Sequence, residues 1–387
     1  MGQTLSISVQ NLLSLPSRIG ASLVAIVGVA GVVLVLVAVL SMATGFRATL
    51  SGAALEDNVV VLRSGSTSEL DSGFSGDQAR LIAQSEDLAL ASRELFVMVD
   101  IAKKGQTADY SANVPFRGVE ADAPALRKNF EIVEGRMFEP GRKQLIAGIG
   151  AAGQFQGLET GNTLEFGTER WEVVGLFKAS GGAAESELWT DAPVLQGAYR
   201  RGNGFSIVYG QLRDTERFAT LNDSLSNDPR LSVQVEREAD YLSAQSELLS
   251  TFITVIGYSI AVLMALGAIF GALNTMYSAV SDRSREIATL RALGFAPRSI
   301  VVSVMLEAFV LALIGGVIGG LLAYLLFNGL TVSTLSFTSF TQVVFAFAVT
   351  PDLLIQGIVL ALIIGLIGGL APAIRAARMP IVTALRE

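Results

Sequence analysis

The chain alternates between long stretches without charge and one long stretch with a short-period polar pattern. No charged residue falls between Arg18 and Arg47, between Glu247 and Asp282, or between Asp352 and Arg375. A fourth run, from Ile300 to Phe327, carries one carboxylate, Glu307. A bilayer core needs about 20 apolar residues per helix, so each run predicts a membrane span. The first run is longer than the apolar core of a signal peptide, about 7–15 residues, and lacks a basic region ahead of it. A span is expected there.

The stretch from residue 48 to residue 245 reads differently. Asn58–Arg63, Leu95–Ala102, Phe116–Glu120, Trp171–Phe177, Ser206–Leu212 and Leu231–Val235 predict strands, with turns at Gly65, Gly73, Gly135, Gly157 and Gly161. Asp77–Gln84 and Thr215–Leu225 predict helices, and Ser180–Glu187 a mobile glycine- and alanine-rich loop. About two hundred residues can bury a core of their own. Ala48–Leu55 and Glu236–Ser250 read as helical stalks that continue the first two spans. The expected fold is an α+β integral membrane protein: four transmembrane helices, with a large extracytoplasmic α+β domain inserted between helices 1 and 2.

The segments follow in order. Residues 1–18 predict an interfacial helix at the cytoplasmic surface, 19–47 the first span, and 48–245 the outer domain with a subdomain at about 115–200. Next come the second span at 246–281, a cytoplasmic loop at 282–297, the third span at 298–327 and an external loop at 328–351 dipping into the interface. The fourth span at 352–374 leads to a cytoplasmic tail at 375–387. Arg283, Arg285, Arg291 and Arg298 crowd the loop, and Arg375, Arg378 and Arg386 mark the tail. Positive charge in short segments stays inside, so both termini are expected in the cytoplasm.

Within the loop, Ile287, Leu290 and Leu293 recur at helical spacing, which predicts a short amphipathic helix. Gly294 suits a helix end and Pro297 bars continuation. Glycine pairs at four-residue spacing, Gly267/Gly271, Gly315/Gly319, Gly316/Gly320 and Gly365/Gly369, predict close helix packing. Glu307, near the cytoplasmic edge, is expected to pair with Arg298 or another loop arginine rather than to relay protons.

Composition narrows the chemistry. Cysteine and histidine are absent, which removes disulfides and the usual zinc ligands and imidazole bases. Residues 46–245 hold 29 acidic against 20 basic side chains, a balance that disfavours nucleic acid as a partner. None of the five lysines sits in a phosphate-binding loop, so ATP and magnesium are expected on a partner subunit, with no cofactor or metal held here. Catalysis by this chain is not expected.

These residues resemble the permease subunits of MacB-like, or FtsX-like, ATP-binding-cassette (ABC) systems. Asn11-Leu-Leu-x-x-Pro16-x-Arg18 is similar to that family's start. Asp282-Arg-Ser-Arg-Glu-Ile-Ala-Thr-Leu-Arg-Ala-Leu-Gly294, followed by Glu307 and Gly315-Gly316, resembles its most characteristic segment. Pro372-Ala-x-Arg375-Ala-Ala-x-x-Pro380 with Ala384-Leu-Arg386 resembles its end. Glu134-Gly-Arg-x-Phe138 and Trp171-Glu-Val-Val-Gly175 look like its MacB-type periplasmic domain. The resemblance implies a non-catalytic subunit in an inner (cytoplasmic) membrane, paired with a second permease and worked by a cytoplasmic ABC ATPase. MacB carries its ATPase in the same chain; here a separate one is expected. The amphipathic helix would be the coupling helix, with Ile287, Leu290, Leu293 and Gly294 apolar and Arg283, Arg285, Glu286 and Arg291 polar. The implied action is mechanotransmission, for efflux with a periplasmic adaptor, with membrane lipid around the spans. Signalling to a cell-wall hydrolase and lipoprotein extraction of the Lol type are the alternatives.

Overall fold

The computed structural model describes residues 19–105, 111–166, 168–336 and 340–381. The expected interfacial helix at 1–18 and Arg386 lie outside these. The elements in chain order are α1 (Ile19–Ser51), β1 (Asn58–Arg63), α2 (Gly76–Ala83), β2 (Leu88–Ala102), β3 (Ser111–Val119), β4 (Phe130–Gly135), β5 (Gln144–Gly148), α3 (Ile149–Gln154), β6 (Thr163–Phe166) and β7 (Glu169–Ala179). Then follow β8 (Leu188–Asp191), α4 (Ala192–Ala198), β9 (Ile207–Leu212), α5 (Phe218–Ser226), β10 (Val233–Arg237), α6 (Glu238–Asp282), α7 (Ser284–Ala292), α8 (Pro297–Phe327), β11 (Thr331–Leu335), β12 (Gln342–Ala346) and α9 (Pro351–Arg378). The chain divides into a helix unit (1–44, 252–330, 347–387) and a sheet unit (45–251, 331–346).

The sheet unit holds a ten-stranded sheet in the order β10-β1-β9-β2-β3-β8-β5-β7-β4, with β6 on β7. β3 and β8 run parallel, as do β5 and β7; the other pairs are antiparallel. Two large cores form on it, beside smaller clusters around Tyr209 and Trp189. One gathers Phe116, Phe155, Trp171 and Leu188; the other gathers Val59, Ile82, Val208 and Leu221. The 15-residue β2 contributes to both, because its alternating side chains continue well ahead of the Leu95 start that the sequence suggested. α2 starts on a capping box, with the Ser75 hydroxyl and the Gln78 side chain each serving the other's backbone.

Several expectations are corrected. Glu236 begins no helix: Val60 pairs with Glu236 and Val59 with Arg237, so the ladder holds the chain extended until Glu238. Ser180–Glu187 is a closed turn rather than a loose loop. Glu185 Oε1 accepts from the amides of Ala179 and Gly181, both at 2.7 Å, and Ser186 is buried. The segment between the third and fourth spans is a β-hairpin that belongs to the sheet unit. Val344 N donates to Ser186 Oγ at 2.8 Å, and Lys103 Nζ donates to Ser333 Oγ at 3.0 Å. The Phe345 ring meets Phe46 edge-on at 5.5 Å. Thr-Val-Ser-Thr-Leu and Gln-Val-Val-Phe-Ala carry a β-branched signal that the lack of charge concealed.

In the helix unit, α1, α6, α8 and α9 are long and apolar enough to cross a membrane. Added side-chain atoms at Gly315 and Gly319 would meet the α1 backbone at Ile26 O and Ala30 O, at 2.9 and 2.4 Å. At Gly316 and Gly365 they would meet Ala361 and Ala312, at 2.9 and 2.6 Å, and at Gly369 Ala308 at 2.7 Å. Gly320 faces Leu354 more loosely, at 3.3 Å. These six glycines therefore let helices of one chain approach closely. Gly267 and Gly271 face open space in this chain. Gly368 against Ala272 and Gly357 against Val33 make close approaches that the four-residue rule overlooked.

Candidate functional site

The segment from Asp282 to Pro297 folds as α7, set off from α6 by one turn residue, Arg283. Its end follows from hydrogen bonding. Gly294 sits at φ +94°, Gly294 N donates to Arg291 O and Phe295 N donates to Leu290 O, both at 3.1 Å. This 6→1 and 5→2 pair is the Schellman arrangement, and Pro297 then opens α8.

Beneath α7 lies a buried ion pair. Arg283 Nη1 donates to Glu307 Oε2 at 3.0 Å, and the two side chains are 6% and 5% exposed. Arg283 was expected among the polar docking residues; its guanidinium instead turns inward. Its backbone breaks the helix at that point, so the side chain follows the inner rather than the outer course. Arg298, the other expected partner of Glu307, is exposed. A small cavity of about 30 Å³ adjoins the pair, lined by Met276, Arg283, Glu286, Ile287, Leu290 and Glu307.

The three apolar residues of α7 do not share one face. Ile287 is buried against Met276, Val280, Ile300 and Val304, Leu290 is half-buried, and Leu293 is 72% exposed. Each three-residue step falls about 60° short of a full turn, so Leu293 is rotated about 120° from Ile287. Ile287 is thus an anchor into the helix unit, and Leu293 faces outward with Arg285, Glu286 and Gly294. Arg291 is tied back, its Nη1 donating to Met379 O at 2.7 Å. Arg375 lies over the Tyr277 ring at 5.3 Å. The arrangement is a short helix braced from below by one ion pair and one apolar side chain, with a mixed charged and apolar outer surface.

Sequence reading missed a second buried charge cluster, around Arg117 in the sheet unit. Its partners Glu69, Glu94 and Glu187 come from distant parts of the chain. The usable signal was a lone arginine inside an otherwise buried strand.

Comparison with known proteins places both units. The MacB-like periplasmic core domain model matches residues 22–228, and the FtsX-like permease C-terminal model matches residues 258–381. A macrolide export ATP-binding/permease protein MacB of Bdellovibrio bacteriovorus is 25% identical over 336 residues, covering 78% of this chain and 50% of that protein. A MacB of Nitrosomonas europaea is 27% identical over 241 residues, covering 58% of this chain and 34% of the relative. An uncharacterised ABC transporter permease of Methanocaldococcus jannaschii is 25% identical over 209 residues, 51% of each chain. The chain spans half or less of the length of the MacB relatives it matches. The crystal structure of the periplasmic region of MacB from Actinobacillus actinomycetemcomitans aligns with a TM-score of 0.39 and 9% identity, over 49% of this chain and 92% of that one. That slight likeness adds nothing to the assignment. With a core-domain match over more than half its length and a permease match over most of the remainder, the chain belongs to the MacB-like and FtsX-like ABC transporter permease family.

Proposed function

We propose that this chain is the force-transmitting membrane subunit of an ABC efflux system, worked at α7 by a cytoplasmic ATPase. One observation carries the reading. α7 is braced from beneath by Arg283–Glu307 and Ile287, while Leu293, Arg285 and Glu286 stay outward where a partner can press on them. A braced helix passes a load to α6 and α8; an unbraced one would yield. The charge pattern supports an orientation in which α7 and Arg375 face the cytoplasm and the sheet unit lies outside. A second permease of the same or a related chain, and a periplasmic adaptor, complete the proposed assembly. The names of the MacB relatives support export as the outcome.

The test begins by capturing the complex from native membranes and identifying the co-purifying ATPase by mass spectrometry. Leu293→Glu should abolish stimulation of that ATPase by this chain while leaving membrane insertion intact. Full stimulation in the variant would refute docking at α7. For orientation, a cysteine at Ser180 should react with an impermeant reagent from outside and one at Arg285 should not; the opposite labelling would reverse the topology.

A further inference from the structure

The sheet unit buries an unusual number of charges at the root of α6. Arg117 donates to Glu187 through Nε and Nη2, both at 2.7 Å, to Glu94 at 2.9 Å, and to both oxygens of Glu69. Arg127 donates through Nη2 to Glu94 at 2.8 Å, and its guanidinium carbon lies 3.9 Å from the centre of the Tyr209 ring. Beside them Glu238, 5% exposed, opens α6. Its Oε2 accepts from Leu55 N at 3.1 Å and from Asn58 Nδ2 at 2.9 Å, so the carboxylate joins the end of the first stalk, the start of β1 and the start of α6. Among the described residues it forms no salt bridge.

Two further observations point to something held here. Arg127 Nη1 and the Tyr241 hydroxyl are buried without a hydrogen-bond partner. Both residues line a cavity of about 70 Å³, together with Glu69, Arg117, Glu187 and Glu238. That space suits about two waters. The charges do not balance, since four buried carboxylates (Glu69, Glu94, Glu187, Glu238) face two guanidiniums. An anion is therefore repelled, and no group of three metal-ligating side chains occurs among the described residues. What remains is a proton, which cancels excess negative charge at little cost in space.

We propose that this cluster is a proton-binding site, in which Glu238 carries the proton on Oε1, its Oε2 being the acceptor, and cavity water links it to Tyr241 and Arg127. Burial pushes the Glu238 carboxyl above the usual range; Arg127 and the two donated hydrogen bonds pull it down by less. Burial likewise raises Glu69 despite Arg117. The remaining neighbours do not supply the missing positive charge. The Tyr209 and Tyr241 phenols are driven well up by burial and stay neutral. Glu236 on β10 is raised by burial and by Asp240, and Lys128 is exposed and turned to Gly52 O. The positive end of α6 favours the carboxylate and works against the proton, an effect confined to the first turn. Holding the proton keeps the joint between Leu55, Asn58 and α6 closed without a second excess charge. The grip on α6 is thereby linked to the pH around the sheet unit.

The test is an infrared titration of the full chain in detergent, following the carbonyl stretch of protonated carboxylic acid. The expected result is a buried band that titrates above the ordinary glutamate value of about 4.3 and is lost in Glu238→Gln. That variant keeps an oxygen acceptor for Leu55 and Asn58. In Arg127→Gln the midpoint should move upward. No band above the ordinary range, or an unchanged band in Glu238→Gln, overturns the proposal. Should Arg127→Gln fail to fold, the wild-type and Glu238→Gln titrations decide alone.

Discussion

Two arginines, Arg283 in the helix unit and Arg117 in the sheet unit, are buried to nearly the same degree and are held in opposite ways. Arg283 is paired with a carboxylate, that of Glu307. Arg117 has three, and with Arg127 and Glu238 the cluster is short of positive charge. Burial opposes the charge on Arg117, yet Glu187, Glu69 and Glu94 hold its guanidinium firmly protonated. The buried Arg283–Glu307 pair is a brace beneath α7. An over-acidic cluster in a water-exposed domain can exchange protons with its surroundings. The excess of carboxylates around Arg117, rather than burial itself, is what makes that joint adjustable.

The largest expected effect comes from Arg117→Met, which leaves Glu69, Glu94 and Glu187 facing one another. We expect a loss of about 5 kcal/mol or outright misfolding of the sheet unit. Fluorescence of Trp171 and Trp189, both fully buried there, reports it. Removing one partner of the Arg283–Glu307 pair comes next. Glu307→Ala takes the carboxylate away from buried Arg283 and should cost about 3–5 kcal/mol, whereas the double variant Arg283→Met, Glu307→Leu should recover most of that. Thermal unfolding in detergent distinguishes them. A double variant as unstable as the single one would mean that the charges themselves are required.

Smaller effects sharpen the contrast. Gly365→Leu must push Ala312 aside, a change of about 1–3 kcal/mol, while Gly267→Leu meets nothing in this chain and should be close to neutral. The pH dependence of the sheet unit carries a definite sign. Glu69 and Glu238 are raised by burial, so the folded unit binds more protons than the unfolded chain between about 4.3 and their folded values. Their contribution to stability is complete below that window and is lost as pH rises through it. Denaturant titrations of wild type and a Glu69→Gln, Glu238→Gln double variant should therefore diverge with rising pH, the wild type falling behind. Convergence at high pH would contradict the sign.

Much of the helix unit was legible because its signals are local. Long apolar runs marked all four long helices, Gly294 and Pro297 marked the end of α7 and the start of α8, and Glu307 announced a partner. The choice of Arg283 over Arg298 was not legible, since it depends on the break at Arg283 between α6 and α7. Nor was the outward turn of Leu293, because three-residue spacing drifts around the helix. In the sheet unit β1 was read to the residue. The short strands β4, β5, β6 and β8, the β11–β12 hairpin and the Arg117 cluster were missed. Each depends on partners far along the chain, such as Glu187 for Arg117 or Ser186 for Val344. Pairings at that range leave no periodic trace in a single sequence.

In the proposed mechanism α7 is pressed from the cytoplasmic side by an ATPase motor. The most direct measurement is nucleotide hydrolysis by the co-purified ATPase, with and without this chain, comparing wild type, Leu293→Glu and Glu307→Ala in one lipid environment. Stimulation by wild type, its loss in Leu293→Glu with unchanged folding, and its weakening in Glu307→Ala are the predicted results. Equal stimulation by all three, or hydrolysis by the isolated chain, would contradict it.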